Sequence, residues 1–138
     1  MKKREAISSI MTESVKTINL NDDLRSVKSM FAKGNIRHLP VMDGDKLVGM
    51  VSKNDIMRLS FGSVFDNQGD ADEAVLDMLS VDQVMTHDVK SIDIDATVKD
   101  VAEIFVSSHF NSLPVMNDGN VAGIVTSTDI IRYMLDQY

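Results

Sequence analysis

The spacing of hydrophobic and polar residues changes along the chain, and the same series of changes occurs in two parts of it. β-Branched residues fill three of positions 15–18 and two of positions 89–92, which predicts a short strand in each part. Asn21 and Asp95 follow as predicted helix caps. Apolar side chains then recur at the spacing of one face of an amphipathic helix. These apolar stripes are Leu24, Val27, Met30 and Phe31, and Val98, Val101, Ile104 and Phe105.

Each of these helices is followed by a predicted β-hairpin and a second helix. In the first part, apolar strands over 38–42 and 46–51 flank the turn sequence Asp43-Gly44-Asp45. In the second part the turn glycine, Gly119, lies one position later. We therefore expect two turns of the same length but of different types. The final helices are predicted over 53–59 and 127–135.

The two parts are copies of one unit. An offset of 74 residues places Met11 on Met85 and aligns the chain without a gap as far as Arg58 on Arg132. Identical residues are spread along the whole overlap, which indicates an internal duplication. They include the pairs Thr12/Thr86, Val15/Val89, Lys16/Lys90, Phe31/Phe105, Pro40/Pro114, Gly49/Gly123 and Asp55/Asp129.

The duplication predicts how the chain is divided. The segments are an N-terminal tail over 1–6, repeat one over 7–59, a linker over 60–80 and repeat two over 81–138. Within the linker, residues 60–70 are rich in Gly, Ser, Asn and Asp and are predicted to form a loop. The apolar spacing of Ala74, Val75, Met78 and Leu79 predicts a short amphipathic helix after it.

Neither repeat is expected to fold alone. A unit of roughly 55 residues buries only about 60% of the surface that its unfolded chain exposes, and it is marginally stable. Two copies can share one core, and we expect them to close about a pseudo-twofold axis rather than to stack as an open array. Such an arrangement creates two equivalent clefts. The predicted fold class is α/β (α+β), with two strand-helix-strand-strand-helix (βαββα) repeats.

Composition excludes several classes of function. The longest apolar runs, such as 39–42, are too short to cross a bilayer. The basic start, 1–4, is followed by Glu5 rather than by the apolar stretch of a signal peptide. We therefore expect a cytoplasmic protein with no membrane insertion. A net charge of −7 and a pI of about 4.8 argue against nucleic-acid binding, which depends on clustered Lys and Arg.

Neither an active site nor a metal site is predicted. The chain has no cysteine, which excludes disulfides, thiol catalysis and cysteine-based zinc sites. His38, His87 and His109 show no metal-ligand spacing with one another or with carboxylates. No phosphate-loop, nucleophile-elbow or zinc-protease motif occurs. We therefore expect no enzymatic activity and no required cofactor.

The same short motif ends both hairpins, and it supports two interpretations. It reads Gly-x-x-Ser/Thr-x-x-Asp, with Ser52 and Asp55 in repeat one and Thr126 and Asp129 in repeat two. In the first interpretation the hydroxyl and the carboxylate cap the next helix as a capping box. In the second, the helix N-terminus and the hydroxyl attract an anion, and the carboxylate holds the 2′ and 3′ hydroxyls of a ribose. Occurrence in both repeats favours nucleotide binding.

Taken together, the motifs resemble a tandem pair of cystathionine-β-synthase (CBS) domains, also called a Bateman module. The resemblance rests on the Met-Thr start of each repeat, on Leu39-Pro40-Val41 and Leu113-Pro114-Val115, and on the Gly-x-x-Ser/Thr-x-x-Asp ends. It covers nearly the whole chain. The resemblance implies two βαββα units whose clefts bind adenosine-containing ligands and regulate an attached enzyme, channel or transporter. Because this chain has no room for such an attachment, we expect a stand-alone module.

The resemblance also implies which residues line the two sites. Asp55 and Asp129 would hold the ribose, and Ser52 and Thr126 would contact the ribose or phosphate side of the ligand. Each site would mix repeats, so that the two groups are Ser52 and Asp55 with Val89, Lys90 and Phe110, and Thr126 and Asp129 with Val15, Lys16 and Ile36. Met50 and Ile124 would cover the adenine ring.

Two further positions would make the sites unequal. Arg37 and His38 match positions that meet phosphate in nucleotide-sensing members of the family, and a guanidinium suits that role. Repeat two has Asn111 and Ser112 there. We expect the site completed by Thr126 and Asp129 to be the one that receives Arg37 and His38.

Two functions remain open at this point. The first is a regulatory module, a homodimer that binds AMP, ADP, ATP or S-adenosylmethionine and signals to a separate enzyme or transporter. The second is a ligand-free assembly module in which the repeated motifs are only helix caps. Apolar residues on the two final helices either form an exposed patch for pairing or are buried in the core. They are Met57, Leu59, Tyr133, Met134 and Leu135.

Overall fold

A computed structural model describes residues 4–13, 15–60 and 69–138. The chain divides into two compact units that do not coincide with the two repeats. The central unit is Lys16–Val89, and the terminal unit combines Met1–Val15 with Lys90–Tyr138. Residues 4–13 therefore belong to the unit that contains repeat two.

The central unit has a three-stranded sheet with helices from repeat one, from the linker and from the start of repeat two. The sheet order is β1-β2-β3, with β1 parallel to β2 and β2 antiparallel to β3. The elements are β1 (Ile18–Asn19), α1 (Leu24–Lys33), β2 (His38–Asp43), β3 (Lys46–Ser52), α2 (Lys53–Ser60), α3 (Gly69–Met78) and α4 (Val81–Val84).

The terminal unit repeats this topology. A short 3-10 turn at Ile7–Ser9 precedes a sheet of order β4-β5-β6, again with one parallel and one antiparallel pair. The elements are β4 (Ile92–Asp93), α5 (Val98–Ser107), β5 (Ser112–Asn117), β6 (Asn120–Thr126) and α6 (Ser127–Asp136). The predicted class, α+β with two βαββα repeats, is confirmed.

The first strand of each repeat is shorter than predicted and begins later. The predicted strands 15–18 and 89–92 are wrong over most of their length, because only Ile18–Asn19 and Ile92–Asp93 pair in the sheets. β-Branched composition alone did not locate where pairing with the neighbouring strand starts.

The predicted caps Asn21 and Asp95 are also wrong. Their amide N–H groups donate to the side chains of the residues two positions earlier, which places them in turns ahead of the helices. Asp23 caps α1 by accepting from the N–H of Ser26 at 2.8 Å. Thr97 caps α5 through a capping box with Asp100.

The two hairpin turns have the same length and different backbone conformations, as predicted. In the first, Gly44 has a positive φ of 61° and Asp45 does not. In the second, Asp118 and Gly119 both have positive φ, at 51° and 84°, which is the requirement of a type I′ turn. The shift of glycine by one position accounts for the difference, because glycine occupies left-handed backbone without a Cβ clash.

Each unit has its own apolar core, and the predicted helix stripes face it. In α1, Leu24, Val27 and Phe31 are buried, while Met30 is partly buried against the same cluster. In α5, Val98 and Val101 are buried, and the later stripe residues Ile104 and Phe105 are half-buried.

The linker contributes a docked helix to the central unit. Leu76 of α3 is buried in the core with α1. Asp77 accepts two hydrogen bonds from Arg25, at 2.6 and 2.7 Å, and this bidentate pair lowers the pKa of Asp77. The helix predicted from 74–79 therefore exists but begins at Gly69. Of the loop predicted over 60–70, residues 61–68 lie outside the described residues, while Ser60 and Gly69 are helical.

The leading segments of the two repeats are exchanged between the units. The N–H of Thr12 donates to the carbonyl of Ile124 in β6 at 2.8 Å, and the Ile124 N–H donates back at 3.0 Å. Thr86 makes the same pair of bonds with Met50 in β3, at 2.8 and 3.1 Å. The start of each repeat thus extends the sheet of the other repeat.

Candidate functional site

The N-terminus of α2 is organised by Ser52 and Asp55. The Ser52 N–H donates to Asp55 Oδ2 at 2.8 Å, and the Asp55 N–H donates to Ser52 Oγ at 3.1 Å. These reciprocal bonds form a capping box, so the structural interpretation of the motif is correct. Only Oδ2 of the carboxylate takes part, and Oδ1 lies outside the cap.

The N-terminus of α6 has the same arrangement. The Thr126 N–H donates to Asp129 Oδ2 at 2.8 Å, and the Asp129 N–H donates to Thr126 Oγ1 at 3.2 Å. All four residues of the two capping boxes are half-buried, namely Ser52, Asp55, Thr126 and Asp129. Two helix N-termini thus carry a fixed carboxylate with one oxygen outside the cap.

The glycine of each motif makes room for an exchanged leading segment. A Cβ at Gly49 would contact the Met85 side chain and lie 3.0 Å from the Thr86 carbonyl oxygen. A Cβ at Gly123 would lie 2.6 Å from Met11 Sδ and 2.8 Å from the Thr12 carbonyl oxygen. Both glycines are therefore required for packing against Met-Thr segments that are distant in sequence.

Met50 and Ile124 lie next to these glycines in β3 and β6, and both side chains are buried. Their backbones form the bridges to Thr86 and Thr12. Sequence reasoning missed this role of the two threonines. Their identity in both repeats was the available signal, although nothing local indicated a partner more than 30 residues away.

Arg37 and His38 lie beside the N-terminus of α2. His38 pairs with Ser52 across β2 and β3, and the Lys53 N–H donates to the Arg37 carbonyl at 2.8 Å. In the terminal unit the corresponding partners are Asn111 and Ser112. Ser112 pairs with Thr126, and the Ser127 N–H donates to the Asn111 carbonyl at 3.0 Å.

Burial lowers the pKa of His38. The nearby Asp55 carboxylate acts in the opposite direction and raises it, while the Arg37 guanidinium lowers it further. The folded protein therefore favours the neutral imidazole, and His38 supplies a hydrogen-bonding group rather than a positive charge near neutral pH.

This shift predicts how stability depends on pH. In the unfolded chain His38 titrates at about 6.5, whereas in the folded protein it takes up its proton at a lower pH. Stability should be highest above about pH 6.5 and fall as the pH decreases from there toward the lowered pKa, because the unfolded state binds the proton first. Melting temperatures between pH 5 and 8 should show a smaller acid loss for His38→Gln than for wild type. The same substitution at the exposed His109 is the control, and equal slopes in all three proteins would contradict the assignment.

The remaining predicted site residues are distributed over both units. Ile36, Lys16 and Val89 belong to the central unit with Ser52 and Asp55. Val15, Lys90 and Phe110 belong to the terminal unit with Thr126 and Asp129. The expectation that Ser52 acts with Lys90 and Phe110, and Thr126 with Lys16 and Ile36, therefore joins residues of different units and stays a prediction.

The described part of the chain has neither a cluster of metal ligands nor a helix suited to span a membrane. Within residues 4–13, 15–60 and 69–138, no group of three or more His, Asp or Glu side chains is arranged to hold a metal ion. Over the same ranges, no helix is both long and apolar enough to span a membrane.

A family model for the CBS domain matches the chain twice, over residues 7–62 and 81–136. The two matches cover most of the chain, and the fold contains the corresponding pair of βαββα repeats. The protein therefore belongs to the CBS domain family, and the resemblance drawn from the sequence is confirmed.

Curated relatives are longer than this chain. An uncharacterized protein of Methanocaldococcus jannaschii is 31% identical over 133 residues, which cover 96% of this chain and 40% of the relative. The inosine-5′-monophosphate dehydrogenase of Thermoplasma acidophilum is 30% identical over 130 residues, covering 94% of this chain and 23% of the enzyme. The chain spans less than half the length of these relatives.

Solved structures share the fold over nearly the whole chain. A CBS domain pair in complex with 5′-methylthioadenosine and S-adenosyl-L-methionine has a TM-score of 0.76 and 27% identity, covering 96% of this chain and 98% of the other. The CBS domain of a membrane protein from Sphaerobacter thermophilus has a TM-score of 0.79 and 24% identity, covering 94% and 88% of the two chains.

Proposed function

We propose that this protein is a regulatory module that binds an adenosine-containing ligand at the N-termini of α2 and α6. The observation that carries the proposal is the repeated geometry of the two carboxylates. Asp55 and Asp129 are each fixed by a capping box through Oδ2, which leaves Oδ1 outside the cap. A carboxylate oxygen held in place is suited to accept hydrogen bonds from ribose hydroxyls.

Two further features support this proposal. A helix N-terminus attracts anions through its free N–H groups and its dipole, and both carboxylates lie within the first turn of such a helix. The CBS domain pair that is 27% identical to this chain was crystallised with two adenosine derivatives. The ribose and adenine that those ligands share define the proposed ligand class.

Among ligands of this class, we propose AMP, ADP or ATP for the site at α2. His38 lies on the strand beside Ser52, and Arg37 directly precedes that strand, within the same unit as Asp55. This neighbourhood supports assigning Arg37 to the Ser52 and Asp55 site, rather than to that of Thr126 and Asp129. A guanidinium offers a charged and directional contact to phosphate. Asn111 and Ser112 cannot supply that charge at α6, so we expect the two sites to differ in ligand preference.

Calorimetry with AMP and with adenosine tests this assignment. Wild type should show two classes of site, and Arg37→Ala should lower the preference for AMP over adenosine in one of them. The expected loss is about tenfold for AMP, since a hydrogen bond to a charged group contributes about 1.5–3 kcal/mol. Native mass spectrometry of freshly purified protein identifies a co-purifying ligand and the oligomeric state together. Saturable binding of neither ligand would contradict the proposed function.

Exposed apolar residues on the two final helices support the homodimer of this regulatory module. Met57 of α2 and Ile131, Met134 and Leu135 of α6 are exposed, whereas Leu59 and Tyr133 are half-buried. The predicted patch is thus exposed in part. We propose a homodimer that passes the ligand signal to a separate enzyme or transporter, because a ligand that binds two arrangements unequally shifts their populations. A monomer by analytical ultracentrifugation would contradict the dimer.

A further inference from the structure

Both candidate carboxylates have an arginine one helical turn further along the chain. Arg58 Nη1 lies 3.8 Å from Asp55 Oδ1, and Arg132 Nη1 lies 3.5 Å from Asp129 Oδ1. The contact is made to the oxygen that the capping box leaves unused, at the same place in each repeat. In the sequence these arginines are an identical pair at the end of the two aligned repeats, and no local motif assigns them a role.

In each of these two ion pairs the arginine is far more exposed than the aspartate. The side chain of Arg58 is 80% exposed and that of Asp55 is 20% exposed, while the values for Arg132 and Asp129 are 68% and 11%. Exposed pairs of this kind contribute little to stability, because solvent screens the attraction and the arginine loses rotamer entropy. Stability therefore gives no strong reason for an arginine at both positions.

The negative charge of the aspartate beside a bound ligand explains an arginine at both positions better than stability does. A ribose held at its 2′ and 3′ hydroxyls carries its 5′ substituent on the same ring, well within the Debye length of about 8–10 Å. An uncompensated Asp carboxylate would then repel a 5′-phosphate, and the protein as a whole already has a net charge of −7. An arginine on Oδ1 offsets the carboxylate charge without displacing Oδ2 from the cap.

We infer that Arg58 and Arg132 determine the specificity of the two sites for anionic over uncharged adenosine ligands. This inference rests on the proposed function. Arg132 should have the larger effect, because Asn111 and Ser112 replace Arg37 and His38 beside α6 and the Arg132 contact is the shorter of the two. Repeat two has Asn111 where repeat one has Arg37, so no second arginine at that position adds to the charge of Arg132.

The test compares AMP with adenosine by calorimetry on wild type, Arg58→Gln, Arg132→Gln and the double variant. The ratio of AMP affinity to adenosine affinity should fall about fivefold in the double variant. This is the effect expected when each site loses one positive charge that lies within the Debye length of the ligand phosphate and is partly screened by solvent. Adenosine affinity should stay within about twofold of wild type. Arg132→Gln should account for more of the change than Arg58→Gln.

Two matched variants separate this role from a purely structural one. Arg58→Lys with Arg132→Lys keeps both charges and should retain the wild-type ratio. Lys99→Gln removes one positive charge from an exposed ion pair with Glu103 on α5, which belongs to neither motif, and should also retain the wild-type ratio. If the double glutamine variant keeps the wild-type ratio, the role of Arg58 and Arg132 in specificity is overturned. Binding of AMP or adenosine by wild type in the same experiment still upholds the proposed function. Absence of wild-type binding to either ligand overturns both.

Discussion

Replacing Asp55 and Asp129 together by alanine is expected to lower the affinity for AMP and for adenosine at least tenfold at both sites. Each substitution removes the oxygen proposed to accept the ribose hydroxyls, and hydrogen bonds to a charged group contribute about 1.5–3 kcal/mol each. A tenfold loss corresponds to about 1.4 kcal/mol. Each single variant should lose one class of site by calorimetry. Unchanged affinity in the double variant would contradict nucleotide binding by this motif.

The same substitutions also weaken two helix caps, so the binding loss needs a structural control. Asp100 provides it, because it closes the capping box of α5 with Thr97 through bonds of 3.0 and 3.1 Å. Asp100→Ala removes a carboxylate from the same kind of cap at a helix with no proposed ligand. It should lower the melting temperature in the same direction as Asp55→Ala and leave ligand affinity unchanged. Equal binding losses in both variants would show that the carboxylates act through the fold.

Gly49→Ala and Gly123→Ala are expected to destabilise the protein by about 1–3 kcal/mol each, the usual cost of overpacking a close contact. The added Cβ would meet a methionine side chain and, at 3.0 and 2.8 Å, the carbonyl oxygens of Thr86 and Thr12. A methionine side chain can move aside, but the backbone carbonyl cannot do so without losing the bridge to β3 or β6. Thermal and denaturant unfolding measure the loss.

Gly34→Ala is the matched control for these substitutions. A Cβ at Gly34 would lie 3.7 Å from Ile36 Cγ1, an ordinary van der Waals distance, and Gly34 has an extended backbone with φ of −144°. The free energy of unfolding of Gly34→Ala should stay within about 0.5 kcal/mol of wild type, as for most surface substitutions. If Gly49→Ala and Gly34→Ala had the same stability, the leading segments could not be packed as described.

Features that depend on neighbouring residues were predictable from the sequence. The capping boxes of α2 and α6 need only a hydroxyl and a carboxylate three residues apart, and both form, as the first interpretation of the motif requires. The helix stripes and the hairpins likewise follow from local periodicity. The first strands and the first caps were placed wrongly, because β1 and β4 are two-residue strands whose limits are set by pairing with β2 and β5.

The candidate site divides in the same way. Sequence placed Ser52, Asp55, Thr126 and Asp129 at helix N-termini, and the structure agrees. It did not show that Arg58 and Arg132 approach the unused carboxylate oxygens, since a spacing of three residues permits the contact without requiring it. Nor did it show that His38 is sufficiently buried for its pKa to fall. Both depend on side-chain conformation and packing.

The sequence by itself determined the duplication, the order of elements in each repeat and the chemistry at the start of α2 and α6. Only the tertiary structure decided which segments complete each sheet. Met11 and Thr12 pack on β6, and Met85 and Thr86 pack on β3, so each repeat contributes its leading segment to the other unit. The physical reason is that close packing against Gly49 and Gly123 joins residues far apart in the chain, and no local periodicity encodes such a contact.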